Sequence, residues 1–378
     1  MGIEIVVIDH HTAKTGDVVS WENISIPLYG SREEFFEGVS SFLHQRYDLV
    51  YGDQDPDGAM ASAIYALGKE QVPDIVCMRG DLDSGRLAAL EERGVEKVLC
   101  LDWFGIYDSD LSEAKRVTLL NPVYSGLPHE LCATQIVYES MRPSIDPALQ
   151  ETAMTLAAIG IVSDYCVGEA HHIIRELATG HPDLFADVIT LLDNGQLTRY
   201  SVFRTGFDSL SDMAWAPYIF DGDRGAEKMI SLIAEHSPFT VRDLFSGSEN
   251  PAARYLHEQG MRLQEVLAKE WKHLEKTAEI DDTFIIFEPL SQSKGLVQKF
   301  SSKVADRNPG KVVMVRIEME PGTYKYSLRR RDLDVDLGSI VKEMGVGGGI
   351  PPAAGCTVED SGRFEKAFRE RVLSVLDN

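Results

Sequence analysis

Residues 51–70 read YGDQDPDGAMASAIYALGKE, with Asp53, Asp55 and Asp57 at alternate positions behind the apolar run YDLVYG and ahead of a small-residue helical pattern. Three carboxylates this close repel one another and raise each other's pKa. A divalent cation resolves the repulsion, and carboxylate oxygens suit Mg2+ or Mn2+. An Asp-rich turn with a helix N-cap is the plainer reading of the same residues, since Asp favours both places. Other apolar runs end the same way. VVIDHH places Asp9, His10 and His11 after the first run, VLCLDW places Asp102 after another, and IGIVSDYC places Asp164 after a run that fits helix or strand. One Asp at a strand end is commonly a turn residue. Carboxylates and imidazoles gathered at one sheet edge are what a two-metal site needs.

The elements that must carry these residues alternate. IEIVVI (3–8), YDLVYG (47–52), DIVCMRG (74–80), EKVLCLD (96–102) and KRVTLLNP (115–122) read as strands. Between and after them lie helical patterns at 32–46, 58–70, SGRLAALEERG and 130–141. The alternation predicts βαβ units around a parallel sheet, and near-continuous apolar strands predict helices on both faces. Ligands bind beyond the carboxyl ends of such strands, where the aspartates stand. From about 149 to 245 the pattern is helical. SGSENP (246–251) breaks it, and a long helical stretch (252–279) reads as a connector. The last hundred residues return to α/β, with MGVGGGIPPAAG (344–355) as a Gly-rich loop. This predicts a domain over 1–245, a helical connector over 246–280 and a smaller α/β domain over 281–378.

The chain has 378 residues with 44% hydrophobic and 26% charged, as expected of a soluble globular protein of two or three domains. Glu4 and Asp9 inside the first apolar run make it a poor signal peptide, so a cytoplasmic protein with no membrane association is expected. The five cysteines, Cys77, Cys100, Cys132, Cys166 and Cys356, are scattered without C-x-x-C spacing. That argues against a zinc ribbon or a disulfide framework, and buried small apolar side chains are the expectation. The net charge of −23 disfavours nonspecific nucleic-acid binding but suits a site that collects divalent cations.

The sequence resembles the DHH phosphoesterases, the superfamily of RecJ exonucleases, nano-RNases, cyclic-dinucleotide phosphodiesterases and manganese-type pyrophosphatases. DQDPDGAMASA (53–63) is similar to the family's first motif, DHH (9–11) to its third, LNPVYSG…ELCATQIVYE (120–139) to the loop and helix after it, and LAAIGIVSD (156–164) to its fourth. YSLRRR and GGGIPPAAG resemble the substrate-grasping DHHA1 domain. Three departures stand out. Asp53 replaces the family's first histidine, Ile350 replaces that of Gly-Gly-His, and DHH precedes the first motif instead of following the second. Two assignments accommodate the displaced triplet. In the preferred one Asp102 is the second motif and DHH at 9–11 fills the third, which requires IEIVVI to lie beside VLCLD in the sheet. In the other, DWF (102–104) is a degenerate third motif and Asp81 or Asp83 the second.

The resemblance implies an α/β fold, a parallel-sheet DHH-type domain plus a DHHA1-type domain. It implies two Mn2+ or Mg2+ ions held by Asp53, Asp55, Asp57, Asp102, Asp164 and His10, with Asp9 bridging or behind them. Asp57 and His11 take catalytic parts, His11 as proton donor or phosphate orienter. Ser327, Arg329, Gly347, Gly348 and Gly349 bind substrate. The implied activity is phosphodiester hydrolysis on oligonucleotides or single-stranded nucleic acid. The alternative is a non-catalytic RecJ-like scaffold with protein partners in a replication or repair complex. An inorganic pyrophosphatase or a phosphoadenosine phosphatase would share the metals but want a small cationic pocket. His171 and His172, adjacent on a predicted helix, are expected on its surface.

Overall fold

A computed structural model of the chain describes residues 2–11, 23–77, 82–103, 114–128, 130–332 and 334–377. It divides into two units, Met1–Met261 and Arg262–Asn378. The alternative second-motif residue Asp81, and Phe104, lie outside the described residues.

The first unit opens with β1 (Glu4–Ile8), β2 (Ile24–Ser25), α1 (Arg32–Leu43), β3 (Leu49–Gly52), α2 (Pro56–Leu67), β4 (Asp74–Cys77), α3 (Ser84–Glu92), β5 (Lys97–Leu101) and β6 (Arg116–Leu120). The strand order is β2-β6-β1-β5-β3-β4, and the pairings are all parallel. The amino-terminal strand therefore lies between β5 and β6, with Ile8 opposite both Leu101 and Leu120. That is the neighbour relation the displaced DHH triplet required.

Strand side chains alternate between faces, and both faces are covered. Val6, Ile8, Val50, Leu99 and Leu101 pack with the helices of the larger core. Ile5, Val7, Leu49, Tyr51, Val98 and Cys100 pack with Leu87 and Leu90 of α3 and with Trp103. The helical part follows: α4 (Ala133–Met141), α5 (Gln150–Ser163), α6 (His171–Gly180), α7 (Pro182–Asp193), α8 (Gly206–Asp221), α9 (Asp223–His236) and α10 (Val241–Ser246). α5 is buried almost all round, as a helix without a polar face must be.

α11 (Pro251–Thr277) carries the chain from the first unit into the second. Its start, through Ala252, Ala253 and Leu256, belongs to the first unit's core, so only its later turns connect. In the second unit follow β7 (Glu279–Ile280), β8 (Phe284–Phe287), α12 (Lys294–Arg307), β9 (Val312–Glu320), β10 (Thr323–Arg329), α13 (Leu337–Glu343), β11 (Gly347–Ile350), β12 (Ala353–Val358) and α14 (Ser361–Leu376). The sheet order is β11-β12-β10-β9-β8-β7. One face packs Phe284, Ile286, Met314, Tyr326 and Leu328 against α13 and α14. On α12, Phe300 meets Phe287 and Trp271 edge to face, with ring centroids at 5.5 and 5.0 Å. The Gly-rich segment expected as a loop is instead the antiparallel pair β11–β12 around Pro351-Pro352. Its glycines let the strands approach, since a Cβ on Gly349 would sit 2.3 Å from the Ala353 carbonyl oxygen.

Candidate metal centre

Hydrogen bonds continue past the strand ends and set the acidic residues side by side. The Asp9 amide donates to the Leu120 carbonyl (3.3 Å), Asp102 to Ile8 (2.9 Å) and Asp53 to Leu101 (3.1 Å). Asp9, Asp102 and Asp53 thus end three neighbouring strands at one level. Asp102 sits at φ 55°, in the left-handed region, which Asp tolerates better than most residues. From Asp53 the chain turns at once into α2. Asp55 caps this helix, its Oδ1 accepting from the amides of Asp57 (3.0 Å) and Gly58 (3.2 Å), and Pro56 fills the first helical position. A Cβ on Gly58 would lie 2.7 Å from the Asp53 backbone, so only glycine allows the helix so close to the turn. Asp164 arrives from elsewhere, as the C-cap of α5 rather than at a strand end.

These elements bring distant residues together. His10 Nε2 lies 3.4 Å from Asp102 Oδ1, 3.4 Å from Asp164 Oδ2 and 3.7 Å from Asp57 Oδ2. His10 is 8% exposed and Asp102 2%, yet neither His10 Nε2 nor Asp102 Oδ1 makes a hydrogen bond. Donor atoms of three sets fall within 4.8 Å of one another: Asp53, Asp55 and Asp102; His10, His11 and Asp102; His10, Asp164 and Cys166. Asp102 is common to the first two sets and His10 to the last two.

The electrostatics match a site built to receive positive charge. Burial, then repulsion from Asp53, Asp57 and Asp164, pushes the Asp55 carboxyl well up. Burial and Asp57 do the same to Asp102, and burial leads the rise at Asp164. Burial alone would lower His10, but Asp164 and Asp102 hold it well above its usual value. Among the described residues, no lysine or arginine pairs with Asp55, Asp102 or Asp164. Carboxylate and imidazole donors facing one another, with buried His10 Nε2 and Asp102 Oδ1 lacking a hydrogen bond, fit divalent cations.

Two expected ligands are engaged by other partners as well. Asp57 Oδ2 accepts from the Ala133 amide and Oδ1 from the Thr134 amide, both at 2.9 Å, and the Thr134 hydroxyl donates to the Asp57 carbonyl (2.7 Å). Its carboxylate thus closes the amino terminus of α4 and belongs to none of the three donor sets. Asp9 is turned toward His11, with Oδ1 2.7 Å from Nδ1 and 3.1 Å from the His11 amide. This pairing orients the His11 ring. Asn121, whose role the local pattern left open, donates to the His11 carbonyl (2.8 Å) and accepts from the Val123 amide (3.0 Å). Cys166 also went unread, because its neighbourhood is set by the turn after α5. His171 and His172 are exposed on α6.

In the second unit, a cavity of about 300 Å³ is lined by Lys325, Ser327, Arg329, Gly348 and Gly349 among others, with Gly347 outside the lining. The Ser327 hydroxyl is 3.2 Å from that of Ser301, and Arg329 Nε donates to the Ser302 hydroxyl (3.4 Å). The neighbouring arginines serve structure. Arg330 grips Asp334 through Nε and Nη2, both at 2.7 Å, and Arg331 pairs with buried Asp306 at 2.6 Å. Ile350 is 62% exposed at the sheet edge.

Residues 281–376 match the DHHA1 domain family. No curated protein sequence matches the chain. Among solved structures, RecJ of Thermus thermophilus in complex with Mn2+ superposes with a TM-score of 0.57 at 16% identity, over 93% of this chain and 56% of that one. The same RecJ with Mg2+ gives 0.53 at 18% identity, over 93% and 54%. The DHH domain of a member of a ribosomal protein family gives 0.59 at 14% identity, over 90% and 91%. The chain thus spans just over half the length of the RecJ chains it resembles. Its carboxy-terminal part matches the DHHA1 domain family, and the whole chain shares its fold with RecJ and the DHH-domain structure.

Proposed function

We propose that this chain is a metal-dependent phosphodiesterase acting on oligonucleotides or single-stranded nucleic acid. One observation carries the reading: Asp53, Asp55, Asp102, Asp164 and His10 converge, with His10 and Asp102 buried and no lysine or arginine paired to Asp55, Asp102 or Asp164 among the described residues. Such a cluster repels a phosphodiester unless cations stand between them. Two Mn2+ or Mg2+ ions bound there would activate a water and neutralise charge on the phosphoryl oxygens. Asp102, shared between two donor sets, would help to hold them. His11, steered by Asp9, would protonate the leaving oxygen. Ser327 and Arg329, with the glycines of β11, would take the phosphate of the substrate. The RecJ likeness and the DHHA1 match support this reading at the level of fold.

A second reading follows from Asp53 and exposed Ile350, which replace two histidines of the resembled motifs: a non-catalytic scaffold for replication or repair proteins. Purified full-length protein with Mn2+ on labelled pApA, short RNA and single-stranded DNA separates the two. Cleavage that needs Mn2+ and is lost in Asp164→Asn supports the enzyme. Metal binding without cleavage of any of the three supports the scaffold.

A further inference from the structure

We infer that Cys166 is a metal ligand, and that the centre is therefore asymmetric: an all-oxygen position at Asp53, Asp55 and Asp102, and a mixed nitrogen, oxygen and sulfur position at His10, Asp164 and Cys166. This rests on the metal-centre reading above and adds to it the kind of ion each position selects.

The geometry begins at the end of α5. After the cap residue Asp164, Tyr165 takes φ 62°, in the left-handed region, a conformation that costs a non-glycine residue about 1–2 kcal/mol. Its ring packs on Phe203 with centroids 4.8 Å apart, which helps to hold the turn. The Cys166 amide then donates back to the Ile161 carbonyl (2.9 Å). The chain reverses, and Cys166 Sγ comes 3.2 Å from Asp164 Oδ2. His10 Nε2 stands 3.4 Å from the same carboxylate oxygen, buried and without a hydrogen bond. All three donor atoms lie within 4.8 Å of one another.

Two of these separations, 3.2 and 3.4 Å, are close to those a bound ion imposes. Bonds of about 2.0–2.3 Å to nitrogen, oxygen and sulfur at near-tetrahedral angles set neighbouring donors about 3.3–3.6 Å apart. The buried Cys132 thiol interacts with that of Cys166 but belongs to none of the three donor sets, which makes it the control sulfur. On ligation the Cys166 S–H bond breaks, its proton passes to solvent, and the sulfur lone pair forms the bond to the ion. Sulfur favours borderline-soft ions such as Co2+ and Zn2+, whereas the all-carboxylate position suits Mg2+ or Mn2+.

The test is optical titration of the full chain with Co2+ under a non-thiol reductant. The wild type is expected to develop a sulfur-to-cobalt charge-transfer band in the near ultraviolet. Cys166→Ser should still bind Co2+ but without the band, with Zn2+ affinity reduced about 10–100-fold and Mg2+ affinity within about twofold of the wild type. Cys132→Ser should keep the band. X-ray absorption on the Zn2+-loaded wild type reads the same bond without a variant, as sulfur at about 2.3 Å. A band that persists in Cys166→Ser, or Zn2+ bound with no sulfur neighbour, overturns the inference and leaves the metal centre standing. No binding of Co2+ or Zn2+ at all overturns both.

Discussion

His10 Nε2 stands 3.4 Å from Asp102 Oδ1, and both atoms are buried without a hydrogen bond. The two residues follow Ile8 and Leu101, or lie one step beyond, on strands that are register partners. Around them the carboxylates of Asp53, Asp55, Asp57 and Asp164 crowd together, a repulsion that a cation relieves. Saturating Mn2+, at about 100 times its dissociation constant, should add about 2.7 kcal/mol of stability. That corresponds to a rise of about 5–10 °C in Tm for a unit of this size. A thermal melt in which Mn2+ shifts wild type and Asp102→Asn equally would rule out binding at Asp102.

The pH dependence of the metal-free protein has a definite sign. Asp55, Asp102, Asp164 and His10 all carry folded-state pKa values raised above their ordinary ones. A group with a raised folded pKa lends its full stability below the unfolded value, and that stability is lost as pH rises through the folded value. For the carboxyls the window opens above about pH 4, and for His10 above about pH 6.5. Metal-free wild type should therefore lose more stability than Asp102→Asn between acid and neutral pH. Parallel Tm-against-pH curves for the two proteins would refute the coupling.

Asp57 separates structural from chemical roles. Asp57→Ala strands the buried amides of Ala133 and Thr134, at about 1–3 kcal/mol each. It should lower unfolding stability by about 2–5 kcal/mol. Asp164→Asn, outside any such cap, should leave the metal-free protein as stable as the wild type or more so while weakening metal binding. Denaturant unfolding of the two variants checks the contrast, which disappears if Asp57→Ala is isoenergetic.

The arginine triplet divides in the same way. Arg331→Ala breaks the buried ion pair with Asp306 and should cost about 3–5 kcal/mol. Arg329→Ala should cost under about 1 kcal/mol but weaken oligonucleotide binding about tenfold, for a loss of about 1.5 kcal/mol. Fluorescence anisotropy with a labelled oligonucleotide, beside denaturant melts, reads both effects. Unchanged anisotropy with Arg329→Ala would remove that residue from the substrate site.

Ile350 is exposed, so Ile350→His should change stability by no more than about 0.5 kcal/mol. If the resembled motif's histidine contacts substrate, the substitution should raise Mn2+-dependent cleavage of pApA. Lower or equal turnover would show that the isoleucine suits this chain's own ligand.

Much of this protein was legible from local pattern. Apolar runs of strand length alternating with helical periods identified a parallel α/β unit, and aspartates after those runs placed Asp9, Asp53, Asp55 and Asp102 at one edge. Side-chain period and turn chemistry act over a few residues, so sequence reports them directly. Strand order is different. Whether β1 lies beside β5 depends on pairing across some ninety intervening residues, and only that pairing decides that His10 meets Asp102. Likewise, Asp57 looks like a third ligand in its motif, yet Ala133 and Thr134 claim its oxygens. Cys166 looks like a core thiol, yet the left-handed turn at Tyr165 aims it at Asp164. The residue types set which chemistry was available; long-range packing chose which of them share a site.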